Sequence, residues 1–425
     1  MCTRLNLGAV LKGITDCKKD FLQVFFNAKT HKTDVPFRVI ASENGTWQKS
    51  VALLLQENLK MLSIQDPFLV RNSEQVLDFF KSHEEHGISV FSVDIKDLYY
   101  SIPHEALLSC VEDCIDQYGP IAFQNASGIS VNGFLELLKF YLKSTFIVWD
   151  EKPRLQKEGI CIGSCIAPIL SDLFLAQLDR SFADIVKDTN VIKIFRYVDD
   201  FLIVLNRNDG SFKDDVRNVL TSVRNHFRTL ELTFELPEKG VIKFLDINII
   251  LHLDRTSWLF KPRGEQPLLP FHSAHSKLVK RSIVHLSFVN SLVKSCPHLM
   301  HESFSQQCKR LENAGYPSHV LVSVAEGVLK NFCRKKTQDT QDATLRKEKV
   351  SVIPYFHRLS HNLKKIAQRS GVRVVFSAPK KLSYLCTKNL TKSKKTVGCT
   401  KKHKSKCVDC IENVVYQIPL SCGEQ

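Results

Sequence analysis

Missing from the 425-residue sequence is any run approaching the ~20 apolar residues of a membrane span, and Met1–Val10 carries no secretory-type apolar stretch. Neither a membrane protein nor a secreted one is expected. Proline (15) and glycine (17) are modest in number and do not by themselves mark domain boundaries. No internal repeat is evident. Cysteine is more plentiful, at 14, but scattered; without a secretory signal this reads as a set of reduced thiols, not a disulfide scaffold. What is present is ordinary globular composition. The 44% hydrophobic and 24% charged residues exclude wholesale disorder and fibrous structure. At roughly 100–200 residues per domain the length allows two to four domains.

The formal net charge is +15, with a pI near 9.1, which makes a polyanionic partner plausible, nucleic acid being the commonest. That charge is unevenly spread. Lys330–Cys410 holds 22 Lys and Arg against 4 Asp and Glu, whereas residues 1–329 hold 37 against 38. The first three quarters read as a near-neutral body and the remainder as a basic extension. Within the body, Glu43–Met61 has apolar residues at Val51, Leu54, Leu55 and Leu59 and predicts an amphipathic helix. Leu170–Leu178, Val216–Leu230 and Lys277–Val293 also have helical spacing, while Val90–Val93 and Phe195–Leu205 are β-prone. Such a mixture predicts an α+β body. The polar stretch Lys335–Lys349 predicts a linker.

Chemistry enters at Phe195-Arg196-Tyr197-Val198-Asp199-Asp200-Phe201-Leu202-Ile203-Val204-Leu205, where two adjacent carboxylates interrupt an apolar β run. Burying unpaired charge is costly, so the segment needs a sharp turn at the acids, a counter-cation, or both. A second run, Val90-Phe91-Ser92-Val93-Asp94, also ends in an acid. A strand-end Asp94 meeting a hairpin tip at Asp199 and Asp200 gathers three carboxylates at one sheet edge. Such a group repels itself unless divalent cations neutralise it. Two Mg²⁺ held there can activate a primer hydroxyl and stabilise leaving pyrophosphate.

These residues resemble a reverse transcriptase. Tyr197-Val198-Asp199-Asp200 is similar to the Tyr-x-Asp-Asp motif of retroelement polymerases, and Asp94 with Tyr99 is similar to the palm motif carrying a third catalytic Asp and an aromatic steric gate. The resemblance implies catalytic, metal-holding roles for Asp94, Asp199 and Asp200, with two Mg²⁺ or Mn²⁺ ions. It places the gate on Tyr99, with Tyr100 as the neighbour that a one-residue slip would substitute. Lys29-Thr30-His31-Lys32 and Pro36-Phe37-Arg38-Val39-Ile40 resemble a fingers segment, which implies triphosphate contacts by Arg38 and by Lys32 or Lys29. Gln156-x-x-Gly159-x-x-x-Gly163-Ser164-x-x-Ala167-Pro168 resembles the loop-to-helix motif against nucleotide and template, implicating Gln156 and Gly163. Thr233-Phe234-Glu235 and Phe244-Leu245-Asp246-Ile247 follow in the order of the last palm segments, with Lys239 between them a candidate general acid for pyrophosphate. Lys277, Lys280 and Arg281 share a helical face by their i, i+3, i+4 spacing and are candidates for gripping nucleic acid; a solvated basic face explains them equally well.

Together with Ala314-Gly315-Tyr316-Pro317, and with Leu359-Ser360-x-x-Leu363, Gly371-Val372 and Val375-Phe376 further on, these motifs look most like Penelope-like retroelements. Val414-Val415-Tyr416-Gln417-Ile418-Pro419 resembles the opening strand of a GIY-YIG endonuclease, whose later parts would lie beyond Gln425. No strand-nicking activity is expected, and both ends suggest either a fragmentary element copy or a partial gene model. Cys399, His403, Cys407 and Cys410 are four soft ligands within twelve residues and form a candidate structural zinc site, with Cys422 an alternative ligand and free thiols in a basic tail the other reading.

The expected architecture is therefore α+β, a right-hand polymerase followed by a basic extension. Its segments are partial fingers (1–90), palm (91–262), helical thumb (263–335), basic linker (336–398) and a Cys/His segment with a truncated nuclease start (399–425). Implied partners are an RNA template, a DNA primer or target and dNTPs, in the nucleus or shared between nucleus and cytoplasm. The competing reading is an inactive remnant that only binds nucleic acid through its basic tail. Deleting residues 336–410 should flatten the dependence of log affinity for RNA on log salt, because fewer counterions are released. An unchanged slope would show that the tail does not read phosphate.

Overall fold

The computed structural model describes residues 1–28, 35–62, 65–83, 87–149, 151–206, 212–253, 255–262, 268–338, 349–355 and 359–377. Two compact units divide the chain, Met1–Arg334 and Lys335–Gln425.

The first unit is built on a four-stranded antiparallel sheet in the order Val191–Tyr197, Asp200–Asn206, Ile88–Ile95, Leu232–Glu235. Side chains alternate across a strand, yet Phe201-Leu202-Ile203-Val204-Leu205 is apolar throughout. The reason is that both faces are covered. Phe201, Ile203 and Leu205 join Phe91, Val93 and Ile95 in a large core under the helices Trp47–Leu59, His104–Tyr118, Val131–Leu142, Ala167–Val186 and Phe212–His226. Leu202 and Val204 point the other way, into a core with Phe80 of helix Ser73–Ser82 and Trp258 of the meander Val241–Phe244, Ile247–Leu251, Thr256–Phe260. Strand propensity and burial thus agree, as in the doubly covered sheets of α/β proteins.

Differences from the sequence reading have local causes. The amphipathic helix is Trp47–Leu59, shorter at both ends than Glu43–Met61, because Thr46 stays extended as its N-cap. The helix read at Leu170–Leu178 runs Ala167–Val186, opened by Pro168 in its first turn, where a missing N–H costs nothing. Strand Ile88–Ile95 spans the position expected to divide fingers from palm, and helix Ser318–Gln338 spans the expected end of the thumb. The thumb helices Lys277–Val293, Met300–Asn313 and Ser318–Gln338 have a core of their own around Val284, Phe288, Leu311 and Tyr316. In the second unit, strands Lys349–Pro354 and Val372–Ser377 pair in parallel, joined by helix Ser360–Arg369. This stretch, read as a basic linker, therefore contains a βαβ crossover, which its valines at 350, 352, 372, 374 and 375 favour. Among the described residues, no helix is long and apolar enough to cross a membrane.

Two glycines join the fingers to the palm. Gly159 has φ +73°, and a Cβ there would run into the Tyr99 carbonyl oxygen and lie 2.6 Å from Tyr100 Cα. Its neighbour Ile160 donates to that same carbonyl at 2.6 Å. Gly163, at φ +112°, packs against the Ala41 carbonyl, with a Cβ 3.1 Å from Ile40 Cγ2, while Ala41 N–H donates to Ile162 at 2.9 Å. The Gly159–Gly163 loop thus lies directly against two backbones. Gly128 has a similar φ of +70° but open space around it. Gly128→Ala should cost about 1 kcal/mol for the left-handed conformation, and Gly159→Ala about 2 kcal/mol more for the clash. Equal melting temperatures for the two variants would contradict this packing.

Candidate active site

The register of the central strands sets the site. Asp94 pairs directly across from Asp200, and Tyr197 pairs with Asp200, which leaves Val198 and Asp199 as a two-residue turn. Val198 adopts φ +59°. A positive φ at the first position of such a turn is normally filled by glycine, and for a β-branched residue it is strained. The turn is tethered on both sides. Ile95 N–H donates to the Asp199 carbonyl at 3.1 Å, and Arg196 Nη1 donates to the Val198 carbonyl at 3.0 Å. Carboxylate oxygens of Asp94, Asp199 and Asp200 lie within 4.8 Å of one another, all half-buried. Oxygen donors gathered this closely suit a hard divalent cation.

Behind the turn lies a cation that the sequence reading assigned no role. The Arg196 side chain is fully buried, with Nε paired to Asp179 and Nη2 paired to Asp66. Burial pushes the Asp179 carboxyl up to about 7, even though the guanidinium pulls the other way. Burial also works against the charge on Arg196, but Asp179 and Asp66 together raise its pKa. Guanidinium does not release its proton in proteins, so the cluster is a permanent cation between two acids. The available signal was an arginine in the middle of an apolar β run.

Tyr99 is half-buried against the main core. Burial raises its pKa, opposed by a hydrogen bond with Ser171; Asp172 and Asp199 raise it further and Arg38 lowers it. Of the two tyrosines it is the one on which Asp199 acts electrostatically, and it remains a neutral phenol. Tyr100 instead donates its hydroxyl to the Val39 carbonyl at 2.8 Å, on fingers strand Phe37–Ser42. Arg38, on that strand, acts electrostatically on both tyrosines. Gln156 donates from Nε2 to the Glu158 carbonyl at 2.8 Å and lines a cleft with Tyr100, Arg154 and Ile162.

Other predicted residues fall further away or are engaged elsewhere. Strand Leu232–Glu235 runs from opposite Ile95 to opposite Ser92, so its register leads away from Asp94 before reaching Lys239, which takes φ +50° in the following turn. Lys280 donates to the Ser273 carbonyl at 2.7 Å and sits 5.1 Å over the Phe271 ring, and Arg281 donates to Ser323 at 3.1 Å. Two of the three proposed phosphate grips thus have partners within the thumb; Lys277 is exposed. Asp246, at the tip of the meander, pairs with Lys294 at 2.7 Å and with Ser73. Lys32, Lys29, the Cys399–His403–Cys407–Cys410 group, Cys422 and the nuclease-like strand lie outside the described residues.

Residues 31–242 match the profile of the family "Reverse transcriptase (RNA-dependent DNA polymerase)". That segment is a reverse transcriptase domain. It contains the whole four-stranded sheet and all three carboxylates, and the fold is that of a right-hand polymerase. Among solved structures, telomerase from Candida tropicalis in complex with a fragment of telomeric RNA is similar at 15% identity and TM-score 0.47, over 87% of this chain and 61% of that one. Telomerase from Candida albicans, also with a telomeric RNA fragment, is similar at 13% and 0.45, over 81% and 61%. The RNA-dependent RNA polymerase of BmCPV gives 10% and 0.38, over 72% and 27%. The chain thus spans about three fifths of the length of these telomerases, and likeness at this level carries no functional weight. None of the curated proteins matches the sequence.

If the three carboxylates form one cation site, Mn²⁺ should raise the melting temperature of the wild type, and Asp199→Asn should remove most of that rise. An equal rise in both would place the ion elsewhere.

Proposed function

We propose that this protein is an RNA-directed DNA polymerase of a retroelement, joining the nucleotidyl group of a dNTP to a primer 3′-hydroxyl on an RNA template. The observation carrying this reading is the convergence of Asp94, Asp199 and Asp200 within 4.8 Å inside a reverse transcriptase domain. The donor set fits Mg²⁺ or Mn²⁺, which these three side chains would hold. When bound, a pair of such ions makes the hydroxyl a better nucleophile and stabilises charge on the leaving pyrophosphate.

The remaining work falls to the chain's own side chains, chiefly positioning. Strand register fixes Asp94 opposite Asp200 and supports the geometry without reliance on loop order. Arg38 offers a permanent charge and planar donors to the triphosphate, from a strand that Tyr100 ties to the palm. Tyr99, neutral and packed on the core, would be the gate whose ring a 2′-hydroxyl meets. The Gly159–Gly163 loop keeps fingers and palm in contact at the nucleotide's edge.

The retroelement assignment rests on the Lys29–Lys32, Pro36–Ile40, Gly159–Pro168, Phe244–Asp246 and Ala314–Pro317 motifs, which favour a Penelope-like element working on nuclear DNA. The surplus of cations between Lys330 and Cys410 supports a further hold on template or target.

Primer extension on an RNA template with Mg²⁺ or Mn²⁺ should give product from the wild-type chain. Absence of product from folded protein that binds the hybrid would contradict the reading. In the same assay, Tyr99→Val should reduce discrimination against ribonucleotides by on the order of 100-fold. Unaltered discrimination would remove the gate from Tyr99.

A further inference from the structure

The geometry points to Arg196 as a positioning residue for the carboxylate site: its guanidinium, clamped between Asp66 and Asp179, holds the Val198 carbonyl and thereby fixes the turn that presents Asp199. This inference rests on the polymerase reading only in naming what the site is for; the geometry it invokes stands without it.

Three features carry it. First, the guanidinium spends its donors in three directions, on helix Ala167–Val186 through Asp179, on the segment before Ser73 through Asp66, and on the turn through Val198. A buried charge is tolerated only when so paired, which makes the cluster stiff rather than incidental. Second, the clamp is itself pre-set. Asp66 Oδ1 accepts from the Phe68 and Leu69 amides, both at 3.0 Å, which turns Oδ2 toward Arg196. The backbone of the same segment brackets Arg196, its N–H donating to Phe68 at 2.7 Å and its carbonyl accepting from Val70 at 2.8 Å. Third, the bond to the turn falls where help is needed. Val198 holds φ +59°, which a β-branched residue avoids. Were that carbonyl released, the turn could relax to negative φ, and the neighbouring Asp199 would be re-aimed. Asp94 and Asp200 lie in paired strands, whereas Asp199 sits in the turn itself, so it is the acid most dependent on this bond.

The test compares wild type with Arg196→Lys, which keeps the charge but cannot serve three acceptors in a plane. Mn²⁺ affinity is read by electron paramagnetic resonance on the full chain without nucleic acid, alongside thermal melting. Altered support around metal-holding residues typically costs 10–100-fold in affinity, so a loss of at least about tenfold is expected in a folded variant. Adding Val198→Gly should then recover much of that loss, because glycine takes positive φ unaided. A purely structural role for Arg196 would shift melting without this recovery. Where Arg196→Lys does not fold, Asp66→Asn replaces it; the Asx bonds to Phe68 and Leu69 are kept while an amide confronts the guanidinium. Wild-type Mn²⁺ affinity in either folded variant, or a loss that Val198→Gly leaves untouched, overturns the inference while the polymerase reading stands. A wild-type chain that binds Mn²⁺ but extends no primer sinks that reading and leaves the inference intact. A wild-type chain that binds no Mn²⁺ removes both.

Discussion

Mutual repulsion among three carboxylates is the constraint around which the first unit is organised. Groups with oxygens inside 4.8 Å separate readily if the backbone lets them, so their convergence requires a frame that does not yield. The central sheet meets that requirement through burial on both faces. Leu202 and Val204 are locked into one core, Phe201, Ile203 and Leu205 into another, and sliding the strand by one residue would exchange the two sets. Because Asp94 and Asp200 are opposed in that register, the same packing that stabilises the sheet also fixes the distance between the acids.

Around this frame, the neighbouring elements are attached by short polar links. The glycine loop lies against the Tyr99–Tyr100 and Ile40–Ala41 backbones, and Tyr100 bonds to Val39, so Arg38 is carried on a strand tied to the site. Asp246, Lys294 and Ser73 similarly join the meander to the base of the thumb. Positive φ is taken by Val198, in the turn that carries Asp199, and by Leu245, in the meander beside Asp246, among other non-glycine residues.

Much of this was legible in the sequence, for physical reasons. An acid at the end of an apolar run is conspicuous because its burial is costly, so Asp94 and the Asp199–Asp200 pair stood out, and periodicity located the helices near them. What escaped notice was long-range pairing. Arg196 was visible as a lone cation in a β run, but its partners are 130 and 17 residues away, and spacing cannot reveal that Asp66 and Asp179 meet it. Lys280 and Arg281 presented the converse problem. Their helical spacing suggested a free basic face, yet Ser273, Phe271 and Ser323 already engage them. Composition likewise concealed the strand pair at Lys349–Pro354 and Val372–Ser377, since abundant lysine and arginine outweighed the valines.

The central claim is that Asp94, Asp199 and Asp200 hold the divalent ions of a nucleotidyl transfer. Anomalous scattering from crystals grown with Mn²⁺, an RNA–DNA template–primer and an incoming dNTP addresses it most directly. The account predicts Mn²⁺ density in contact with all three carboxylates, between the primer terminus and the triphosphate. Mn²⁺ bound elsewhere, or a primer terminus remote from these residues, would contradict it.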